Sequence, residues 1–185
     1  MSLLPIYTYG APILRKKAKP VTGASDEILR LALNMFETMH KAQGIGLAAT
    51  QVGSLQNLLV VDLTGVEGYE DFRPLTVINP VVVSRDGRWT MEEGCLSIPE
   101  VRDDVERPEA IVLRYRDANF EEYELKASDI LARVLLHEID HLNGVLFIDH
   151  LPEERKKTHA EALKRIEKGE VEVGYPIVTA QNQMV

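Results

Sequence analysis

Hydrophobic and polar positions follow two different periods along this chain, and the change from one period to the other divides it into elements. Ile28, Leu31, Ala32, Met35 and Met39 recur at i, i+3, i+4, i+7 and i+11, the spacing of one face of a helix. Ser25 ahead of them offers a capping hydroxyl, and Asp26 and Glu27 place negative charge at the N-terminus, so a helix is predicted from here until Gly44 stops it. The arm before it is punctuated by Pro5, Gly10, Pro12 and Pro20. Runs rich in Val, Leu and Ile from Leu58 to Asp62 and from Leu75 to Ser84, with Gly65, Gly68 and Gly87 as breakers, predict strands. Ala110–Tyr115 and Glu121–Leu125 flank Asp117-Ala118-Asn119 like the arms of a hairpin.

From Ser128 to Leu142 apolar residues surround nearly the whole circumference of a helix that Asn143-Gly144 ends. Such a helix has no face to give to water and is expected at the centre, with the sheets wrapped around it. Phe147-Ile148-Asp149 reads as a short strand leaving that centre. Beyond Pro152, residues Glu153 to Lys168 interleave acids with bases and hold few apolar residues, which predicts an exposed helix. The tail, 169–185, either adds a strand at Tyr175–Val178 or stays mobile. Helices at both ends of a run of antiparallel strands make the class α+β: antiparallel β-sheets around a buried C-terminal helix, in one domain over residues 1–168.

Composition narrows the function. With 185 residues, 45% hydrophobic and 27% charged, the chain has the profile of one globular domain rather than a disordered or fibrous protein. Its 21 Lys and Arg against 29 Asp and Glu leave a formal charge of −8, which repels phosphate backbones and anionic headgroups; DNA is not expected as a partner. No apolar stretch of about 18 residues occurs, so no membrane span is expected. The start lacks a basic segment followed by an apolar one, and the single cysteine, Cys95, forms no intramolecular disulfide, so a reducing cytoplasm is the expected location.

The candidate chemistry lies in three segments. His137-Glu138-Ile139-Asp140-His141 puts two imidazoles four residues apart on one helix face, able to share a metal ion, with Glu138 beside the open side as a proton carrier. The competing reading is a pair of core histidines satisfied by carbonyls; burying two imidazoles and two acids unpaired weighs against it. A catalytic ion wants a third protein ligand. The metzincin pattern supplies a histidine where this chain has Phe147, and His150 is a weak candidate. Cys95, in Glu93-Gly94-Cys95-Leu96-Ser97 between a strand and an expected turn at Ile98-Pro99, is the better one. A lone cysteine is more often an inert core residue; a two-histidine helix short of one ligand reverses that preference. Third, Gly44-Ile45-Gly46-Leu47-Ala48-Ala49-Thr50-Gln51 lacks the lysine of a phosphate loop. It reads either as a helix stop with a packed turn or, through the Gln51 amide, as a donor to a developing oxyanion.

Together and in this order, the three segments resemble the peptide deformylase family, the metalloenzymes that remove the formyl group from the N-terminal methionine of new bacterial chains. The likeness runs from about residue 3 to 168. It implies Cys95, His137 and His141 as metal ligands, Glu138 as general acid and base, and Gln51 with the backbone N–H of Leu96 as holders of the formyl oxygen. It implies one divalent ion, with Fe(II) favoured and Zn(II), Ni(II) or Co(II) also compatible with the donor set. The substrate, a formylated nascent peptide, is expected in extended form beside Ile45, Gly46 and Gly94, with its methionine in an apolar pocket lined by Val134 and Ile45 and walled by His137, and with Arg102 near its later residues. Leu136 stands where many members carry glutamine, and Arg133 where the pocket rim is often apolar. Glu93, Arg107 and Asp140 are candidates for a network that steadies the ligands, against the alternative of ordinary surface ion pairs. Arg155, Lys156, Lys157, Lys164, Arg165 and Lys168 make ribosomal RNA a candidate transient partner of the last helix, although the interleaved acids favour a merely solvated helix. The alternatives are a zinc endopeptidase and a non-catalytic metal- or chain-binding protein.

Overall fold

A computed structural model describes residues 2–181. The Ser25 hydroxyl caps helix α1 (Asp26–Lys41) by accepting from the Ile28 N–H at 3.3 Å, and Ile28, Ala32, Met35, Thr38 and Met39 form its buried face. A five-stranded antiparallel sheet follows, in the order β2 (Gly46–Ala48), β3 (Leu58–Val61), β4 (Leu75–Asp86), β7 (Ala110–Arg116) and β8 (Glu122–Ser128). All four residues of β3 are buried because the strand is covered on both faces. Leu58 and Val60 join the core on the α1 side, while Leu59 and Val61 join the core around helix α2 (Asp129–Leu142).

Helix α2 meets the expectation of a central helix: every residue from Ala132 to Glu138 is buried. Of a separate antiparallel hairpin, β5 (Trp89–Cys95) and β6 (Ile98–Arg107), the sequence predicts the strand before Cys95 and a turn after it but not the returning strand β6. Along β6, Val101, Asp103, Val105 and Arg107 face inward in alternation. Two of these four are charged, and their charges hide the period of a half-buried strand. The expected turn at Ile98-Pro99 lies two residues earlier, at Leu96-Ser97, and Ile98 already pairs with Cys95.

Residues Phe147–His150 form a 3-10 turn rather than a strand. The Asp149 carboxylate accepts from the Leu146 N–H at 2.8 Å, which closes the turn locally, and an ion pair to Arg15 holds it there. Helix α3 (Glu153–Glu167) is mostly exposed, as its composition predicts, and buries only Leu163 and Ile166. The tail returns to the domain: strand β9 (Ile177–Val178) pairs with β1 (Ile6–Tyr7), in parallel and not antiparallel like the other strands. The last residues assigned to the tail, 182–185, lie outside the described ones. Among the described residues, no helix is long and apolar enough to cross a membrane.

Candidate metal centre and active-site cleft

The helical period of α2 stacks His137 and His141 with ring centroids 5.0 Å apart. Opposite them stands Cys95 at the end of β5, where the hairpin register shifts between Gly94 and Cys95; irregularities of this kind re-aim a side chain. Cys95 Sγ lies 3.1 Å from His141 Nε2, and one donor atom from each of the three residues falls within 4.8 Å of the others. Ligands of one tetrahedral ion stand about 3.5 Å apart, so the three fit a shared metal ion. Phe147, at the position of a metzincin's third histidine, is buried and stacks on the His137 ring at 6.3 Å. His150 is not a ligand; its Nε2 bonds Asp140 at 2.7 Å, at the outer end of a polar network.

Glu93 and Arg107 are buried and Asp140 half-buried in that network, so the alternative of ordinary surface pairs falls. Glu93 takes bonds from Arg107 Nε and Nη2, from Arg133 Nη1 at 2.6 Å and from His137 Nδ1 at 3.0 Å. Burial works against its charge, yet the bonds from His137 and Arg107 hold its carboxyl well below the usual range. An ionised Glu93 makes His137 Nδ1 the donor and leaves Nε2 as the ring atom that faces the sulfur of Cys95. Arg107 continues to Asp140 at 2.7 Å. Arg133 lines the cleft, as expected of its rim position, and buries its head, where it meets Glu93, the carbonyls of Trp89 and Val105 and the Trp89 ring.

The electrostatics favour a cation between the ligands. Burial opposes a charged His137, but its bonds to Cys95 and Glu93 raise it well above the ordinary histidine range. Burial, seconded by the His137 charge, holds His141 well below that range, so its ring is neutral with a lone pair to give. Glu138 is buried, its Oε2 has no hydrogen-bond partner, and desolvation pushes its pKa up to about 7. Gly46 makes room for it: a Cβ there would lie 2.6 Å from Glu138 Oε1 and 2.7 Å from Val134 Cγ1.

These residues open on a cleft of about 520 Å³. Ile45, Gly46, Gln51, Gly94, Cys95, Leu96, Arg102, Val134, His137 and Glu138 all line it, while His141 lies fully buried behind. Gln51 accepts from the Ala48 N–H through Oε1 at 2.8 Å, which turns its amide N–H toward Ser97 Oγ at 3.2 Å and Cys95 Sγ at 3.7 Å. Arg102 is exposed on the wall, 3.7 Å from Glu92. The sequence reading missed Ser97, the anchoring role of Arg133 and the tail residue Tyr175, whose hydroxyl reaches Leu96. Ser97 stood inside a quoted motif; Tyr175 carried no chemical signal.

A cysteine sulfur and two imidazoles that could hold a metal ion, beside a buried carboxyl with one unpartnered oxygen, fit the class of metal-dependent hydrolases. The polypeptide deformylase family matches residues 3–157. The peptide deformylase of Chlorobaculum parvum is 50% identical over 175 residues, 95% of this chain and 94% of that protein. The Salinibacter ruber peptide deformylase is 49% identical over 191 residues, covering 99% and 98% of the two chains. Among solved structures, the Thermus thermophilus peptide deformylase superposes with a TM-score of 0.84 at 39% identity, covering 91% of this chain and 99% of that one. The Ehrlichia chaffeensis enzyme in complex with actinonin gives 0.83 at 39% identity, covering 93% and 100%. The chain belongs to the polypeptide deformylase family.

Proposed function

We propose that this site removes the formyl group from the N-terminal methionine of newly made chains, with Cys95, His137 and His141 as the metal ligands and Glu138 as the proton carrier. The observation that supports this most directly is the convergence of three donor atoms beside a buried carboxyl with a free oxygen. What a divalent ion supplies when bound is Lewis acidity, which polarises a carbonyl and acidifies water. The residues do the rest. Glu138 Oε2 takes a proton from the attacking water and returns it to the leaving amine. Gln51 Nε2 and the Leu96 N–H hold the formyl oxygen as it gains charge. Strand β2 is the edge of the five-stranded sheet, so an extended peptide adds to it between Ile45-Gly46 and Gly94. Val134, Ile45 and His137 take the methionine side chain, and Arg102 meets the residues beyond it.

The ion we assign is Fe(II), with Zn(II), Ni(II) and Co(II) accommodated by the same donors. We read residues 1–168 as the catalytic domain and place the protein in the cytoplasm, where formylated chains emerge. Ribosome contact through α3 is the weaker part of this reading, because Arg155 is engaged by Asp103 and Lys156 by Glu153. The deciding experiment is anaerobic formate release from formyl-Met-Ala-Ser by Fe(II)- or Ni(II)-loaded protein. Release from that peptide alone, and none from an acetylated one, supports the assignment; cleavage of an unblocked internal peptide instead makes the protein an endopeptidase. Metal bound at one equivalent without any turnover makes it a binding protein.

A further inference from the structure

The hairpin turn that carries Cys95, Leu96 and Ser97 is fastened by residues from both ends of the chain. The Tyr9 N–H donates to the Ser97 carbonyl at 2.8 Å. The Tyr175 hydroxyl donates to the Leu96 carbonyl at 2.9 Å across 79 residues of sequence. Tyr175 is held in place by the short parallel pairing just beyond it. Ile6 N–H donates to the Pro176 carbonyl at 2.9 Å, Thr8 N–H to the Val178 carbonyl at 3.0 Å, and Thr179 is buried behind them. The ring of Tyr175 also lines the catalytic cleft and packs, like Leu96, against the core on the α1 side. On its other flank the Leu96 side chain lies over Gly44, where an added Cβ would come within 2.8 Å of Leu96 Cδ1.

We infer that Tyr175 is a positioning residue of the reaction: its hydroxyl locks the Leu96 carbonyl, and with it the direction of the Leu96 N–H that holds the formyl oxygen. The inference rests on the reading of that N–H as an oxyanion donor. The carbonyl and the N–H of one residue are separated by two backbone torsions, so a bond to the first restricts the swing of the second. An oxyanion donor acts only from a fixed direction, about 3 Å from where the charge develops, and an error of about 1 Å is costly. Tyr175 lies beyond the residues 3–157 matched by the family model, in a C-terminal stretch that the Salinibacter ruber relative, aligned over 99% of this chain, also spans. Its ring bounds the cleft as well, so a second effect belongs to the ring and not to the hydroxyl.

The test compares wild type, Tyr175→Phe and Tyr175→Ala as full-length, metal-loaded protein on formyl-Met-Ala-Ser. Three readouts are taken: kcat and KM separately, thermal midpoint, and hydrogen–deuterium exchange of the segment spanning residues 94–98. We expect Tyr175→Phe to lower kcat by about tenfold, less than loss of an entire oxyanion donor. KM should stay within about twofold and the thermal midpoint should not move, while amide exchange at residues 95–97 quickens. Tyr175→Ala is expected to add a rise in KM. Unchanged kcat in Tyr175→Phe overturns the inference, and so does a kcat loss that appears only with a lowered thermal midpoint. A rise in KM alone reduces Tyr175 to a wall of the cleft and also overturns it. If the wild type itself releases no formate, the functional reading fails first, and exchange at residues 95–97 then reports only on the bond.

Discussion

Helices α2 and α3 are nearly equal in length and opposite in how they are held. From Ala132 to Glu138 every residue of α2 is buried, and its Arg133, His137 and Asp140 side chains are drawn into the Glu93–Arg107 network. Helix α3 buries only Leu163 and Ile166 and is tied to β6 by ion pairs: Asp103 receives Arg155 Nη2 at 2.6 Å and His159 Nε2 at 2.7 Å, and the exposed Glu100 lies 3.9 Å from Arg165. Both arrangements start from a buried acid on the β5–β6 hairpin. Around Glu93 the partners Arg107, Arg133 and His137 are all buried and the cluster orients the His137 ring; around Asp103 the Arg155 partner is half exposed and the cluster fastens a surface element. Burial of the partners, not the presence of an ion pair, separates a group that tunes chemistry from one that attaches a helix.

The sharpest test of the α2 side is Glu138→Gln, which keeps the shape and removes the proton carrier. Formate release should fall by about 100- to 10,000-fold, with metal content by elemental analysis unchanged. Loss of metal together with activity would mean that Glu138 holds the site together and carries no proton. Next comes Glu93→Gln, which leaves Arg107 and Arg133 facing a neutral amide and releases the tautomer of His137. Metal affinity, measured by competition with a chelator, should drop by about 10- to 100-fold; an unchanged affinity would place the network outside the metal's business.

Packing gives a smaller, structural contrast. Leu135→Ala on α2 removes a fully buried side chain and should cost about 3 kcal/mol of global stability in denaturant unfolding. Ile166→Ala on α3 should cost about 2 kcal/mol, the low end of the range, and raise amide exchange mainly within α3. Equal, global losses from both would erase the difference between the helices.

The smallest effect concerns pH. The bond from Arg155, opposed by burial and joined by His159, lowers the Asp103 pKa to about 2 from an ordinary 3.8. A carboxyl depressed in the folded state stabilises above its unfolded pKa, and that contribution disappears as pH falls through the folded value. With Arg155 half exposed it amounts to about 1 kcal/mol. The gap in thermal midpoint between wild type and Asp103→Asn should therefore be full at pH 5 and close toward pH 2. A gap that holds constant over that range would show that the latch works through packing alone.

Legibility in the sequence followed the range of the interactions. Helix α1, with its Ser25 cap, helix α2, with its apolar circumference, and the charged α3 all stood in the local pattern, and the His137/His141 pair is a consequence of helical spacing. The need for a third ligand was equally legible, and Cys95 was singled out by the absence of another. The β6 arm of the hairpin was not, because two of its inward positions are Asp103 and Arg107, whose partners lie 14 to 56 residues away. Strand β9 has two residues, too few to show any period. Phe147–His150 looked extended because the bond that curls it, from Leu146 N–H to Asp149, depends on a side chain and not on hydrophobic spacing.

What the sequence determined by itself was therefore the kind of protein and its reactive parts: periodic elements, one free thiol, two imidazoles and a carboxyl on one helix. What only the tertiary structure decided was their orientation. The sulfur of Cys95 faces His141, the Glu93 carboxylate fixes His137, and Tyr175 reaches Leu96 from the far end of the chain. The physical reason is that secondary structure is written in short-range periodicity, whereas the direction of a lone pair or an N–H is set by partners that folding brings together from remote segments.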